Sequence, residues 1–555
     1  MSKITVPMKK AFVTLLAVAA ISLSGCDQQV SVTPAEKPAA GLISQIDNSW
    51  YLESAAKVED IHRAVTNASK NKGAAKNIIL FVGDGMSIAT TTAARILDGQ
   101  QRGMLGEENS LSFGHFPFTG LMKTYNTDAQ TPDSAGTMTA IISGVKTDVG
   151  VIGVDEDVIL EDCGSMAGNQ LITALELAEI AGLSTGIVST ARITHATPAA
   201  AYAKSASRDW EDISNMPAEA VVAGCEDIAS QLIHFESNLE ARYEGSDING
   251  IDVVMGGGRR HFLPKDAAAN SADAASAIEG DRTDGRNLIE EWQSIYPNGI
   301  YIDEQQGFEA LDLNAEAPVF ALFNESHMLY EADRSNDIAG EPSLTEMTTA
   351  SLDILDNNPN GYFLLVESGR IDHGHHANSA FNALTDTIEF SRAIQAAVDN
   401  SNPDETLIIV TADHGHVFTI AGYPKRGNPI LGKVVDVGTS ELARGLDGLP
   451  YTTLSYANGP GFHDFGDETN ADKVYYTEPF RGRADLTHID TERSGFHQEA
   501  MITKRSESHS GEDVAIYATG PGAHLVSGTQ EQSGVFHIMN FAADLAGRAE
   551  TALSE

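Results

Sequence analysis

The sequence predicts an α/β protein built on a doubly wound, largely parallel central sheet with helices on both faces. Three observations carry this. Apolar runs of strand length recur along the chain without the alternation of a half-exposed strand, the pattern of strands buried on both faces. Several are separated by stretches of helical periodicity, the signature of strand–helix–strand units. The chemically interesting polar residues stand just past the ends of these runs, where open α/β sheets bind their ligands. With 555 residues, 42% of them hydrophobic, the chain can bury a large core.

In chain order, residues 1–25 read as an export signal. Lys3, Lys9 and Lys10 form the charged end, and Ala11 to Leu23 is an apolar run too short to span a membrane stably. It ends Leu23-Ser24-Gly25-Cys26, which resembles the lipobox of bacterial lipoproteins, in which the cysteine is lipidated. The expectation is an exported protein anchored by lipid at Cys26 on the periplasmic side of a bacterial membrane. Asp27 resembles a signal for inner-membrane retention, and the choice between inner and outer membrane stays open. Residues 26–45, rich in Pro and Ala, read as a flexible tether. Trp50 to about Lys70 is amphipathic and predicted helical, and a single domain is predicted over 46–550.

Strands are predicted at Asn77–Val82, Gly186–Thr190, Ile251–Met255, Pro318–Phe323, Gly361–Val366, Thr406–Thr411 and Asp513–Ala518. Helices are predicted after Gly85 through Asp98, and at Asn169–Ala181, Ala218–Ile233, Ser343–Leu355 and Phe381–Val398. Residues 425–506 break the rhythm. They are rich in Gly, Pro, Tyr and Asp and read as an insertion folded over the site or at a subunit boundary.

The densest chemistry lies in Gly361 to His376, GYFLLVESGRIDHGHH. The strand stops at Glu367, Gly369 and Gly374 break the chain, and Asp372 and His376 fall on one face of a helical turn. Mixed oxygen and imidazole donors suit zinc, and oxygen donors alone suit magnesium. Asp84 follows the first strand, Asp413-His414 the sixth, and His195 and Thr197 the second, so four segments converge on one sheet edge. Ser134, in TPDSAGT, precedes an apolar helical run and so sits at a helix N-terminus, which favours an anion. A serine hydroxyl becomes a nucleophile when something such as a metal ion lowers its pKa.

The net charge of −42 argues against a nucleic-acid partner. An anionic substrate must then be held by something stronger than surface lysines, and bound metal ions would do so. If Cys26 carries lipid, Cys163 and Cys225 remain; an oxidising compartment favours their pairing, with two buried thiols as the alternative.

FVGDGMS, TPDSAGT, VESGRIDHGHH, TADHGH and the histidine before GEDVAIYATGP stand in an order that resembles the alkaline phosphatase family, from about Lys76 to Leu545. His195 and His373 stand where the animal-type branch has histidines. The resemblance implies hydrolysis of phosphate monoesters through a phosphoserine on Ser134, with two zinc ions and one magnesium. It assigns one zinc to Asp372, His376 and His509. A second goes to Asp84, Asp413 and His414 with the Ser134 oxygen, and magnesium to Asp84, Thr197 and Glu367. It gives Arg208 the phosphate oxygens and places His195 and His373 behind the ligands. It also implies a Cys163–Cys225 disulfide, a crown-like role for 425–506 and a homodimer. Asn324 stands where that branch has a carboxylate, so no calcium is expected; Ser368 and Gly415 also differ from the commonest motif residues. The alternatives are a diesterase, a phosphosugar mutase, or a lipid-anchored binding protein without turnover. Ser134-Ala135-Gly136 lacks the Cys-Pro-Arg of sulfatases.

Overall fold

A computed structural model describes residues 48–68, 74–246, 248–314 and 317–554. The export signal, Cys26 and the tether lie outside the described residues. Contacts divide the chain at Asp60/Ile61. The described part of the first unit is the start of helix α1 (Ser49–Ala68), where Asn48 Oδ1 accepts the Trp50 N–H at 3.0 Å.

The second unit is organised by a ten-stranded sheet. In chain order its strands are β1 (Asn77–Gly83), β2 (Phe118–Lys123), β3 (Ser184–Arg192), β4 (Val253–Gly257) and β5 (Ile300–Ile302), then β6 (Val319–Leu322), β7 (Tyr362–Ser368), β8 (Thr406–Thr411), β9 (Val514–Thr519) and β10 (Gly528–Glu531). In space they run β10-β2-β9-β8-β1-β7-β3-β4-β6-β5. β1, β7 and β8 are buried at every position, as the unalternating apolar runs predict. β8, β1, β7 and β3, the strands that lead into predicted ligands, are immediate neighbours and parallel.

The Asp513–Ala518 strand is the exception within the largely parallel sheet: β9 runs against both β8 and β2. Its reversal puts its amino end, not its carboxyl end, at the ligand rim. The helix expected over Ala218–Ile233 is two, Ala218–Ala223 and Ile228–Ile233. Gly224 caps the first in the left-handed region at φ 90°, a conformation that ends a helix. Gly374 does not break the chain; it lies inside helix Arg370–His376, where a Cβ would meet the Ala383 backbone N at 2.6 Å. Residues 425–506 contain no α-helix but are not wholly irregular. Leu454–Gly459 pairs with Phe418–Ile420 and Ala500–Thr503 in a three-stranded sheet. This insertion folds against the helices beside the site: His497 Nδ1 donates to Ala377 O at 2.8 Å and Asn382 Nδ2 to Thr469 O at 2.7 Å.

A second, smaller apolar cluster of Val151, Val154, Val158, Met166, Ala206, Trp210, Met216 and Ala220 packs apart from the main core. Cys163 and Cys225 lie against it and are joined by a disulfide, with Cα atoms 5.9 Å apart.

Candidate metal centre

Strand order explains how distant residues meet. Asp84 leaves β1, Glu367 is the penultimate residue of β7, and Asp413 and His414 follow β8. Val82 pairs with Glu367, and Glu367 with Ser189 of β3. Because β9 is reversed, His509, which precedes it, arrives at the same rim. β2 leads towards helix α2 (Ser134–Ser143), where Asp133 is the N-cap and accepts the Gly136 N–H at 3.1 Å.

The predicted first-zinc residues do converge. His376 Nε2 and His509 Nε2 each lie 3.4 Å from Asp372 Oδ1 and 3.2 Å from one another. Asp372 and His376 share one face of helix α3 (Arg370–His376). At the second set, His414 Nε2 is 3.4 Å from Asp84 Oδ1, 3.3 Å from Asp413 Oδ2 and 3.0 Å from Ser134 Oγ. The His414 and His509 rings stack at 3.6 Å, so the two sets share a wall. At the third set, the Ser189 hydroxyl donates to Glu367 Oε2. The Thr197 hydroxyl lies beside the Glu367 carboxyl, yet no well-formed hydrogen bond holds it.

These residues fit cations. Both Asp84 oxygens, Glu367 Oε1, Thr197 Oγ1 and His414 Nδ1 are buried without a hydrogen-bond partner, which is costly unless something unseen binds them. Burial pushes the Glu367 carboxyl up to about 8. Burial also raises Asp84 well above the carboxylate range, reinforced by Asp413, Asp372 and Glu367, and it raises Asp413. Asp372 is the exception. Burial opposes its ionisation, but His376 and His416 hold it well below its ordinary value. Four carboxylates packed this closely call for a positive counter-charge, and mixed oxygen and imidazole donors supply the ligands for it.

Arg208 donates from Nη1 to Asp133 Oδ2 at 3.2 Å and from Nη2 to His195 Nε2 at 3.3 Å. Burial opposes its charge, yet Asp133, Asp84 and Asp372 raise its pKa above the ordinary value. Its guanidinium is therefore held beside the helix end that carries Ser134. His195 is kept neutral, with its pKa lowered to about 3 by burial and by Arg208. His373 is held down by burial and by Arg370, whose Nη1 donates to His373 Nδ1 at 2.9 Å.

Sequence reasoning missed four residues. Asp133 is more than a cap, because it also orients Arg208. His327 completes a cluster with His195 and His373, its ring 5.3 and 4.1 Å from theirs. His416 Nε2 donates to Asp372 Oδ1 at 2.7 Å, and His416 Nδ1 to Glu507 Oε2 at 2.5 Å. Burial works against a charge on His416, but Glu507 and Asp372 hold its pKa up to about 10. The available signals were the second histidine of DHGH and a glutamate two places before His509. Gly85 makes room for this arrangement: its φ is +69°, and a Cβ there would sit 2.4 Å from His416 Nε2.

The family model described as alkaline phosphatase matches residues 75–545. The chain is 41% identical over 488 residues to the human tissue-nonspecific alkaline phosphatase isozyme, covering 87% of each chain. It is 40% identical over 485 residues to an alkaline phosphatase of Gadus morhua, covering 87% of this chain and 94% of that one. In fold it is similar to the crystal structure of Thermus thermophilus alkaline phosphatase, with TM-score 0.57 and 23% identity over 87% of this chain and 97% of that one. The metal-capable rim and these matches agree: the chain belongs to the alkaline phosphatase family, enzymes that hydrolyse phosphate monoesters.

Proposed function

We propose that phosphate monoesters are cleaved here in two displacements through a phosphoserine on Ser134. The reading gives zinc to Asp372, His376 and His509, and a second zinc to Asp84, Asp413, His414 and the Ser134 oxygen. It gives magnesium to Asp84, Thr197 and Glu367. The observation that carries it is Asp84, fully buried with both carboxylate oxygens unpartnered and His414 Nε2 within 3.4 Å.

When bound, the cations supply Lewis acidity: they lower the pKa of the Ser134 hydroxyl and of water, and neutralise the departing alkoxide. Ser134, at the amino end of its helix, directs Oγ at phosphorus while the first-turn N–H groups face the anion. Arg208 presents its planar fork to two non-bridging oxygens, with Asp133 fixing its angle. Attack by Oγ expels the alcohol and leaves a phosphoserine. Water then attacks phosphorus from the vacated side, releasing phosphate and restoring Ser134. Two in-line steps give net retention at phosphorus. His195 and His373, both neutral, flank the site without adding charge.

The test is hydrolysis of p-nitrophenyl phosphate against its bis-ester, with and without a chelator, by zinc- and magnesium-loaded protein. The monoester should be cleaved in preference and the chelator should stop it. Ser134→Ala should still bind phosphate but trap no labelled phosphoenzyme. Equal labelling of the variant would remove Ser134 from the role.

The same reading places the protein outside the bacterial cytoplasm, as a homodimer tethered by lipid at Cys26. Its supports are the Leu-Ser-Gly-Cys sequence after a short apolar run and the disulfide, which suits an oxidising compartment. Cys26→Ala should move the protein from the membrane to the soluble fraction, and light scattering on the purified protein should give twice the chain mass.

A further inference from the structure

Each residue assigned above to the first zinc is held from behind, and two of the three holds run through one residue outside the ligand set. Glu507 is 2% exposed. Its backbone grips His376 twice: Glu507 N donates to His376 O at 3.0 Å, and His376 Nδ1 donates to Glu507 O at 2.7 Å. Its side chain reaches Asp372 in two steps, because Oε2 accepts from His416 Nδ1 while His416 Nε2 donates to Asp372 Oδ1. The other carboxylate oxygen, Oε1, accepts the Val417 N–H at 2.8 Å, which fixes the carboxylate plane. The third ligand, His509, follows two residues later and donates from Nδ1 to Pro132 O at 2.8 Å.

His416 lies close enough to Asp372, His414 and His509 to be counted among ligands itself. Its geometry argues otherwise, since both ring nitrogens are already engaged by carboxylates. It transmits the position of Glu507 to Asp372.

We propose that Glu507 is a positioning residue for the first zinc site. It sets the rotamer of Asp372 through His416 and the ring plane of His376 through its own backbone, and its side-chain arm governs how tightly that zinc is retained. The inference rests on the ligand assignment of the preceding section. Residues that orient metal ligands in this way change affinity by about 10- to 100-fold when altered.

Glu507→Gln keeps the size and the acceptor for Val417 but removes the carboxylate from His416. Zinc release from loaded protein into a colorimetric chelator, followed in time, reads each site separately. The parent should hold two zinc ions tightly. Glu507→Gln should hold one as the parent does and release the other about 10- to 100-fold more readily, with activity restored by excess zinc. His416→Gln should show the same defect, and the double variant no more than either alone. Glu512→Gln, which removes an exposed charge five residues away, should behave as the parent. Unchanged release in Glu507→Gln, or additive defects in the double variant, would overturn the proposal. So would a fall in the metal-free melting temperature with no change in zinc release, which would make Glu507 a merely structural residue. A parent that binds no zinc at all would instead overturn the ligand assignment, and this inference with it.

Discussion

Replacing Cys163 and Cys225 with serine should loosen the segment that carries Arg208 before it loosens the sheet. The disulfide joins residues 62 positions apart, and the closed loop contains His195, Thr197 and Arg208. Chain-entropy loss in the unfolded state for a loop of that length corresponds to about 4 kcal/mol. The middle of the loop, through strand β3 to Ala203, is anchored in the main core, but the end that carries Arg208 rests on the small cluster around Trp210, separate from it. Its backbone ties to the segment after the Ser134 helix include Arg208 N to Gly150 O at 2.7 Å and the Ile152–Ser205 pairing. Urea unfolding of the metal-free parent and the double serine variant should therefore differ by about 4 kcal/mol. In the native variant, the inhibition constant for inorganic phosphate should rise because Arg208 is less well placed. A difference under about 1 kcal/mol, in a variant whose phosphate affinity is intact, would refute the idea that this loop depends on its covalent closure.

Three further outcomes follow from individual side chains. Arg208→Ala should lower kcat/KM by about 3 kcal/mol, roughly a hundredfold, for the loss of charge-assisted bonds to phosphate; Arg208→Lys should recover only part of it, and full recovery by lysine would discredit the planar-fork argument. Glu179 is fully buried with Oε2 unpartnered, and burial, then Asp252, raises its pKa well above the ordinary value. A raised folded pKa means stability that is complete below the unfolded value and lost as pH rises towards the folded one, so Glu179→Gln should gain on the parent as melting is followed upward from about pH 4.3, and parallel melting curves would contradict it. Gly85→Ala should cost about 1–2 kcal/mol for a side chain in the left-handed region and should also push His416 away from Asp372, seen as easier zinc loss; normal zinc retention would show that His416 yields without consequence.

The sheet was readable because its central strands are buried on both faces and so carry unbroken apolar runs, as NIILFV and TLIIVT do. The edge was not. β10 reads GTQE, half exposed and with no apolar signal, and β2 alternates only weakly. The reversal of β9 had no local signature either, since AIYA is equally at home in a parallel or an antiparallel strand. Ligands were legible where a strand end, a glycine and a donor coincide, as at Asp84, Glu367 and Asp413. His416 and Glu507 were not, because each looks like an ordinary polar loop residue until the fold brings residue 507 against residue 376. Asp133 did not stand out because a single sequence cannot show that one carboxylate serves two partners.

The backward course of β9 has a bearing on biogenesis. It carries a donor from near the carboxyl terminus, His509, to the same rim as one that follows the first strand, Asp84, so the candidate ligand cluster unites both extremities of the catalytic domain. No chain still lacking its last hundred residues can complete the pocket. Metal uptake must then be a late event that reports a finished molecule, and a nascent or clipped chain would stay inert.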